Sequence, residues 1–348
     1  MRFNLKLGVC IVGLLGIFSS FVGSPDLAPR QYLSEYGFFD GPLANLTPVQ
    51  TVFPYEVNAP LFSDYAEKAR FIYLPPGTKL TYRPTTAFDF PTGAVIIKNF
   101  FYHHDNQHPE LGRQIIETRL LIKTANTWKA LDYIWNADQT EATLEVAGAQ
   151  LPVQWTDIHG KNQSIQYQIP NLNQCKGCHS LDGQFTPIGV TARQLNRAIS
   201  SENQLLTLEK QGLLELPIGF DIKAAPRLAD YRNAPLPQHE SIERMARAYL
   251  DANCAHCHNP QGPASTSGLF LEADQQNPER LGVLKSPVAA GRGSGKNRYG
   301  IVPGKPQESI LVYRMESNDP GIRMPELGRQ MEHQEGIALV KAWIKTMQ

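Results

Sequence analysis

The sequence predicts a multidomain fold, in which an N-terminal antiparallel β domain, a sandwich or a barrel, precedes a mainly α-helical region. The chain has 348 residues, about twice the size of a typical domain, so it can bury more than one core. Short β-branched and aromatic runs concentrate before residue 168, and apolar residues at helical spacing follow that point. We therefore expect two or three domains.

Residues 1–23 predict a secretory signal peptide. Arg2 and Lys6 precede an uncharged apolar run that extends from Leu7 to Gly23 and ends in small residues. The run is short for a membrane-spanning helix, and an uncleaved anchor is the alternative. We therefore expect an exported protein that is not an integral membrane protein once the signal is cleaved.

Residues 31–168 predict the β domain. Gly, Pro, Asn and Asp residues bound its strand-forming runs, as is typical of an antiparallel sandwich or barrel. Its histidines lack the spacing of a ligand set, so we expect no metal or covalent cofactor within this domain. The strand-forming runs are 94–102, 115–122, 128–135 and 142–146.

Residues 169–236 predict a small helical segment that ends in a linker. Apolar residues at helical spacing occupy 191–198 and 202–214, and Thr191 and Ser201 are suitable N-caps. A stretch rich in proline and polar residues then indicates a linker. The segment has little core of its own, so we expect it to pack on a neighbouring domain.

Residues 237–348 predict a second domain with helices at both of its ends. Residues 242–253 form an amphipathic pattern, and residues 335–347 carry a broad apolar face. We expect these two helices to cross, with Tyr249 and Trp343 at the crossing.

Two CxxCH motifs carry the main chemical signal of the sequence. In this pattern two thiols bond covalently to the vinyl groups of a haem, and the adjacent imidazole ligates the iron. The pattern therefore predicts two covalently bound haem c groups. The two motifs are Cys175-Lys-Gly-Cys178-His179 and Cys254-Ala-His-Cys257-His258.

Cysteine usage supports this interpretation. The chain has five cysteines, and four remain once the signal peptide is removed, all within the two motifs. A zinc site formed by these four cysteines is the alternative, but it leaves His179 and His258 unexplained and fits an oxidising compartment poorly. Because covalent haem attachment takes place outside the bacterial cytoplasmic membrane, the signal peptide and the motifs together predict a periplasmic protein.

Met324 is the predicted sixth ligand of the second haem. Pro325 disfavours a helix at Met324, which therefore lies on a loop, and a thioether ligand favours ferrous iron. Met315 and Met331 compete, but both fall in helical stretches where core packing is the commoner role. Arg323 is equally suited to pairing with a haem propionate and to exposure to solvent.

The first haem has no comparable methionine, because none lies between His179 and Met245. Its sixth ligand is therefore expected to come from another segment or to be water. The histidines available for this role are more typical of exposed loops than of ligands. They are His103, His104, His108, His159 and His239.

The chain resembles a known family in several runs of sequence. Residues 267–271, 299–311 and 322–325 are similar to cytochrome c domains in which CxxCH precedes a PGxPxxSxL stretch and an RMP loop. With residues 58–63, 117–121 and 173–179, the whole mature chain resembles a family of uncharacterised bacterial dihaem c-type cytochromes. The resemblance implies haem attachment at both motifs and axial ligation by Met324. It implies no substrate and no chemistry for the β domain.

These observations favour a protein that transfers single electrons between periplasmic or membrane redox partners. The alternative is a dihaem redox enzyme, similar to a peroxidase, with an open first haem. A third hypothesis gives the β domain the role of docking a partner. Lys and Arg total 33, as do Asp and Glu, so the net charge gives no indication of nucleic-acid binding.

Overall fold

The largest element of the fold is an antiparallel sheet that the strand-forming runs assemble. The computed structural model describes residues 28–199, 201–232 and 241–348. The predicted signal peptide and the last part of the predicted linker lie outside these residues. In chain order the strands are β1 Phe39–Asp40, β2 Thr47–Pro48, β3 Val52–Pro54, β4 Glu67–Tyr73, β5 Leu80–Thr81, β6 Val95–His103, β7 Arg113–Lys123, β8 Trp128–Trp135, β9 Ala142–Glu145, β10 Ala149–Thr156, β11 Asn162–Ile169, β12 Ser180–Leu181, β13 Gln184–Phe185, β14 Ala198–Ile199, β15 Glu202–Asn203 and β16 Leu214–Glu215.

The helices are short and lie in the second half of the chain. Brief 3₁₀ turns connect several elements, and one π-helical turn, Asp251–Ala255, continues the fourth α-helix. Among the described residues, no helix is long and apolar enough to cross a membrane. The α-helices are α1 Leu172–Cys178, α2 Ala192–Leu195, α3 Gln204–Lys210, α4 Ile242–Leu250, α5 Ile310–Met315 and α6 Gln334–Thr346.

The central sheet has six strands in the order β3-β4-β6-β7-β8-β9, and every pair is antiparallel. Strands β6 to β9 match the four predicted runs. The sheet is open, with β3 and β9 at its edges, so it is not the barrel that was one of the two expectations. A hairpin of β10 and β11 packs on part of one face, where a sandwich would place a second full sheet.

The predicted fold class is wrong in its second half, because the region after the sheet is not mainly α-helical. Between residues 237 and 348 the described helices are α4, α5 and α6, and the rest of the described chain there forms turns and loops. Many glycine and proline residues in residues 260–330 break the helical spacing that its ends suggest. The structure is therefore mostly β-sheet with short helices.

The first CxxCH motif lies on helix α1, although its sequence has no helical periodicity and follows Pro170. Pro170 stands before the helix begins, where it does no harm. Asn171 caps the helix: its side chain accepts a hydrogen bond from Gln174 N at 3.0 Å, and Gln174 Oε1 accepts one from Asn171 N at 2.9 Å. This capping box allows seven residues to form a helix without an apolar stripe.

The segment that follows α1 packs on the β domain, as its small size predicts. Helices α2 and α3 bury Leu195 and Leu205 against aromatic side chains such as Phe88. Strand β16 pairs in parallel with β5. Thr191 is the N-cap residue of α2, but Asn203 rather than Ser201 caps α3.

Helices α4 and α6 pack together in one core, as predicted. Tyr249 and Trp343 are both buried in this core. At Gly336 of α6 an added Cβ would overlap the Tyr249 ring, so glycine allows the two helices to approach closely.

Candidate functional site

A cavity of about 410 Å³ lies between the central sheet and the region after α1. Cys175, Cys178 and His179 line it from the first CxxCH motif, and Cys254 lines it from the second. Met324 also lines it. The fold therefore brings residues of both motifs and the predicted methionine ligand to one cavity, although they are far apart in sequence.

Helix α1 and the β12–β13 hairpin position the first motif. The Nδ1 atom of His179 lies 2.9 Å from the backbone oxygen of Thr186, and its ring stacks on Phe185 with the ring centres 5.3 Å apart. Burial lowers the pKa of His179 to about 3, so the imidazole is neutral at pH 7. A hydrogen bond at Nδ1 fixes the tautomer and leaves Nε2 free to ligate a metal.

The second motif begins in the π-helical turn after α4. Cys254 is packed against the core that α4 and α6 form, and Asn253 accepts a hydrogen bond from the backbone nitrogen of Phe62 at 2.8 Å. His258 does not line the cavity, and its Nδ1 lies 3.4 Å from Ser267 Oγ. Burial lowers the pKa of His258 to about 4, so this imidazole is also neutral at pH 7.

The two motifs meet at a cluster of Cys178, Cys257 and His256, whose ligand atoms all lie within 4.8 Å of one another. A hydrogen bond with Cys257 lowers the pKa of the Cys178 thiol, and the same bond raises the pKa of Cys257. All four motif cysteines are free thiols. Thiolate and imidazole ligands suit thiophilic metal ions such as Zn²⁺.

Sequence analysis missed the position of His256, because a histidine at this place was expected at the surface. Its ring lies in the cavity wall, and its Nδ1 is buried without a hydrogen-bond partner. The signal that could have revealed it is the His-Cys-His run at residues 256–258, which is unusually rich in ligand groups.

The side chain of a buried arginine, Arg329, holds the Met324 loop through hydrogen bonds to backbone oxygens. Arg329 donates hydrogen bonds to the backbone oxygens of Met324 at 3.0 Å, Ser317 at 2.8 Å and Met315 at 3.2 Å. Arg323 is buried too, and donates to Gln330 Oε1 at 3.0 Å. Exposure of Arg323 to solvent, one of its two expected roles, is therefore wrong.

Among the described residues, the histidines suggested as sixth ligands of the first haem do not line the cavity. His103 faces Glu67 at 3.7 Å, and His108 pairs with Glu110 at 3.0 Å. His104 and His159 are not among the lining residues either. His239 lies outside the described residues.

Charged residues of the sheet form the remaining wall of the cavity. Arg70, Lys98, Arg119 and Asp132 line it from four neighbouring strands. Arg119 pairs with Glu117, whose Oε1 accepts a hydrogen bond from Tyr167 at 2.6 Å. Sequence analysis missed this wall, although charged side chains inside the apolar runs of β6 and β7 were a visible signal.

A scan against protein-family models, a search of curated proteins and a search of solved structures found no match to this chain.

Proposed function

We propose that the chain is a dihaem c-type cytochrome that transfers single electrons between redox partners. The observation that carries the proposal is that two CxxCH motifs with four free thiols meet in the fold, with Cys175, Cys178, His179 and Cys254 lining one cavity and Cys257 next to Cys178. The residues that would hold the haem groups are Cys175, Cys178 and His179 for the first, and Cys254, Cys257, His258 and Met324 for the second.

The donor groups suit this cofactor. A bound haem supplies an iron that changes its oxidation state by one electron. The chain keeps His179 neutral by burial and directs its Nδ1 to Thr186, so that Nε2 is available at a fixed orientation.

We infer that the protein is exported to the periplasm and exchanges electrons with redox proteins there or at the membrane. The predicted signal peptide supports export, and the need to attach haem outside the cytoplasm supports the same compartment. The motif resemblance to bacterial dihaem c-type cytochromes supports both inferences.

A redox titration tests the proposal. The chain is produced with a haem-attachment system, and the absorbance is followed against potential. We expect two one-electron steps, and we expect His179→Ala to alter the step of one haem only. His159→Ala, at an exposed histidine outside the cavity, is the matched control and should change neither step. A preparation without covalently bound haem would contradict the proposal.

A redox enzyme with an open first haem is the second candidate function, and the carboxyl groups near the first motif favour it. Asp132 lines the cavity, and burial raises its pKa, with a further contribution from the charge of Glu117. Asp132 and Cys175 line the same cavity, so a carboxyl group with a raised pKa stands at the first motif. A high-spin ferric signal, with a rapid spectral change on adding peroxide that Asp132→Asn slows, would favour the enzyme over the electron carrier.

The cluster of Cys178, Cys257 and His256 offers a competing occupant, a thiophilic metal ion. Covalent haem attachment converts both thiols to thioethers, so the two occupants exclude one another. Metal analysis separates them: we expect the haem-loaded protein to contain no bound Zn²⁺. Stoichiometric Zn²⁺ that His256→Ala removes, in a protein that carries no haem, would make the chain a zinc protein instead.

A further inference from the structure

Three cations lie side by side across the central sheet. Arg70 on β4 is paired in register with Lys98 on β6, and Lys98 is paired with Arg119 on β7. All three line the cavity, so we call them the cationic row. Directly opposed side chains on neighbouring strands have Cβ atoms about 5 Å apart, and like charges at that spacing repel each other. The row therefore needs a compensating negative charge.

The protein compensates only one end of the row. Arg119 contacts Glu117 and lies 3.4 Å from Asp132. Among the described residues, neither Arg70 nor Lys98 has a carboxylate at ion-pair distance. Arg70 donates to the backbone oxygen of Lys68 at 3.3 Å, and the Lys98 ammonium lies 5.8 Å from the ring centre of Phe100. Two basic groups thus face the cavity without a counterion. Burial and the charges of Arg70 and Arg119 lower the pKa of Lys98 to about 7, so an anion bound beside Lys98 would favour its charged form.

The cationic row lies beside the first CxxCH motif. Lys98, Arg119, Cys175 and His179 all line the same cavity. Helix α1, which carries Cys175, contacts strand β8, the neighbour of β7 in the sheet. A ligand held at Cys175 and His179 would therefore share the cavity with the row.

We propose that the cationic row is a carboxylate-binding site for the ligand of the first motif. Guanidinium and ammonium groups bind carboxylates through charge-assisted hydrogen bonds, and the two uncompensated cations match a ligand with two carboxylates. On the proposed function, the carboxylates are the propionates of the first haem. A free dicarboxylate has the same chemistry and is the other source. This gives the β domain a role, as the wall that neutralises and orients the ligand.

The stability of the empty protein gives a first test that separates a binding role from a packing role. If the cationic row waits for an anion, Lys98→Met removes repulsion, and we expect the thermal midpoint of the haem-free chain to be unchanged or higher. Lys123→Met, on β7 but outside the cavity, is the matched control. A fall in the midpoint for Lys98→Met alone would show that Lys98 stabilises the fold and would overturn the proposal.

Binding to the haem-free, reduced chain gives the decisive test. Iron protoporphyrin and its dimethyl ester are titrated separately, because the ester lacks both carboxylates. We expect the free acid to bind at least tenfold more tightly than the ester. Lys98→Met and Arg70→Gln should each weaken the free acid about tenfold and leave the ester unchanged, whereas Lys123→Met should affect neither. Equal weakening of both forms, or of neither, would overturn the proposal.

Succinate distinguishes the two sources of carboxylate. If the propionates occupy the row, the haem-loaded chain should not bind succinate in a calorimetric titration. If the haem-loaded chain binds succinate and Lys98→Met abolishes that binding, the carboxylate site stands, and its ligand is a free dicarboxylate. Failure of this proposal can be distinguished from failure of the proposed function, because a chain that never attaches haem covalently can still bind the free acid through Lys98. If neither the free acid nor succinate depends on Lys98, the proposal is wrong.

Discussion

Met324 is held in the cavity wall by its own main chain, which accepts two hydrogen bonds from Arg329 and donates one to the backbone oxygen of Arg314 at 3.0 Å. These bonds leave the thioether itself without a role in fixing the loop. By contrast, Met315 is buried in the core with α4 and α6, and Met331 packs against the β10–β11 hairpin. These surroundings agree with the packing role expected of them, but Met331 lies in the loop before α6 and not in the helical stretch that the sequence predicted.

These differences predict separate effects for the three methionines. Met324→Ala should abolish the weak sulfur-to-iron charge-transfer band of the ferric protein and lower the midpoint potential of one haem, because the thioether favours ferrous iron. Met315→Ala should keep the band and cost about 2–5 kcal/mol of stability, because it leaves a core cavity. If the band persists in Met324→Ala, Met324 is not the sixth ligand.

A further variant is needed to decide which haem iron Met324 ligates, because Met324 and His179 line the same cavity whereas His258 does not. The assignment to the second haem predicts that Met324→Ala still abolishes the band when Cys175→Ala and Cys178→Ala have removed the first. If the chain with Cys175→Ala and Cys178→Ala already lacks the band while Met324 is unchanged, Met324 is instead the ligand of the first haem.

At the scale of elements, the loop that carries Met324 depends on Arg329. Arg329→Met would leave several buried carbonyl oxygens without a donor, and each such loss costs about 1–3 kcal/mol. We expect a total loss of about 3 kcal/mol or more in the free energy of unfolding, measured in denaturant, together with a weakened charge-transfer band. Arg280→Met, at an exposed arginine, should leave both quantities unchanged.

The approach of α4 to α6 depends on Gly336. A methyl group at this position would overlap the Tyr249 ring, so Gly336→Ala should lower stability by about 1–3 kcal/mol even though alanine is the better helix former. Gly189→Ala adds the same methyl group where no heavy atom lies within 4 Å, and should be close to neutral. Equal effects of the two substitutions would show that the ring moves aside without cost.

Elements with a strong local pattern could be predicted from the sequence. Strands β6 to β9 followed from β-branched runs, and α4 and α6 from their apolar faces. Helix α1 could not, because its stability comes from the capping box of Asn171 and Gln174 rather than from periodicity. The loops between α4 and α6 are held by side-chain bonds to backbone groups, such as those of Arg329, which no periodic pattern reveals.

At the scale of the whole molecule, the sequence contains both motifs but does not show that they meet in the fold. Their contact results from packing of α1 and the π-helical turn around a shared cavity, which depends on long-range contacts. The cationic row was equally hidden, because register between β4, β6 and β7 decides which charges become neighbours. Residue types thus indicated the cofactor, and tertiary structure added the surroundings.

The two haem sites should be separable in spite of this contact. Cys254 packs against a core of α4, α5 and α6 to which the first motif does not contribute. We therefore expect Cys175→Ala with Cys178→Ala to remove one haem and to leave the second attached, as measured by the absorbance of the pyridine complex. Equal loss of both haems would show that the second site forms only after the first.

The central claim, that both motifs attach haem, is tested most directly by the intact mass of the mature protein. The chain is expressed with a haem-attachment system and measured under denaturing conditions, which remove any group that is not covalently bound. We predict a mass increase of two haem groups, which falls to one when Cys175 and Cys178, or Cys254 and Cys257, are replaced by alanine. An unmodified mass would contradict the account.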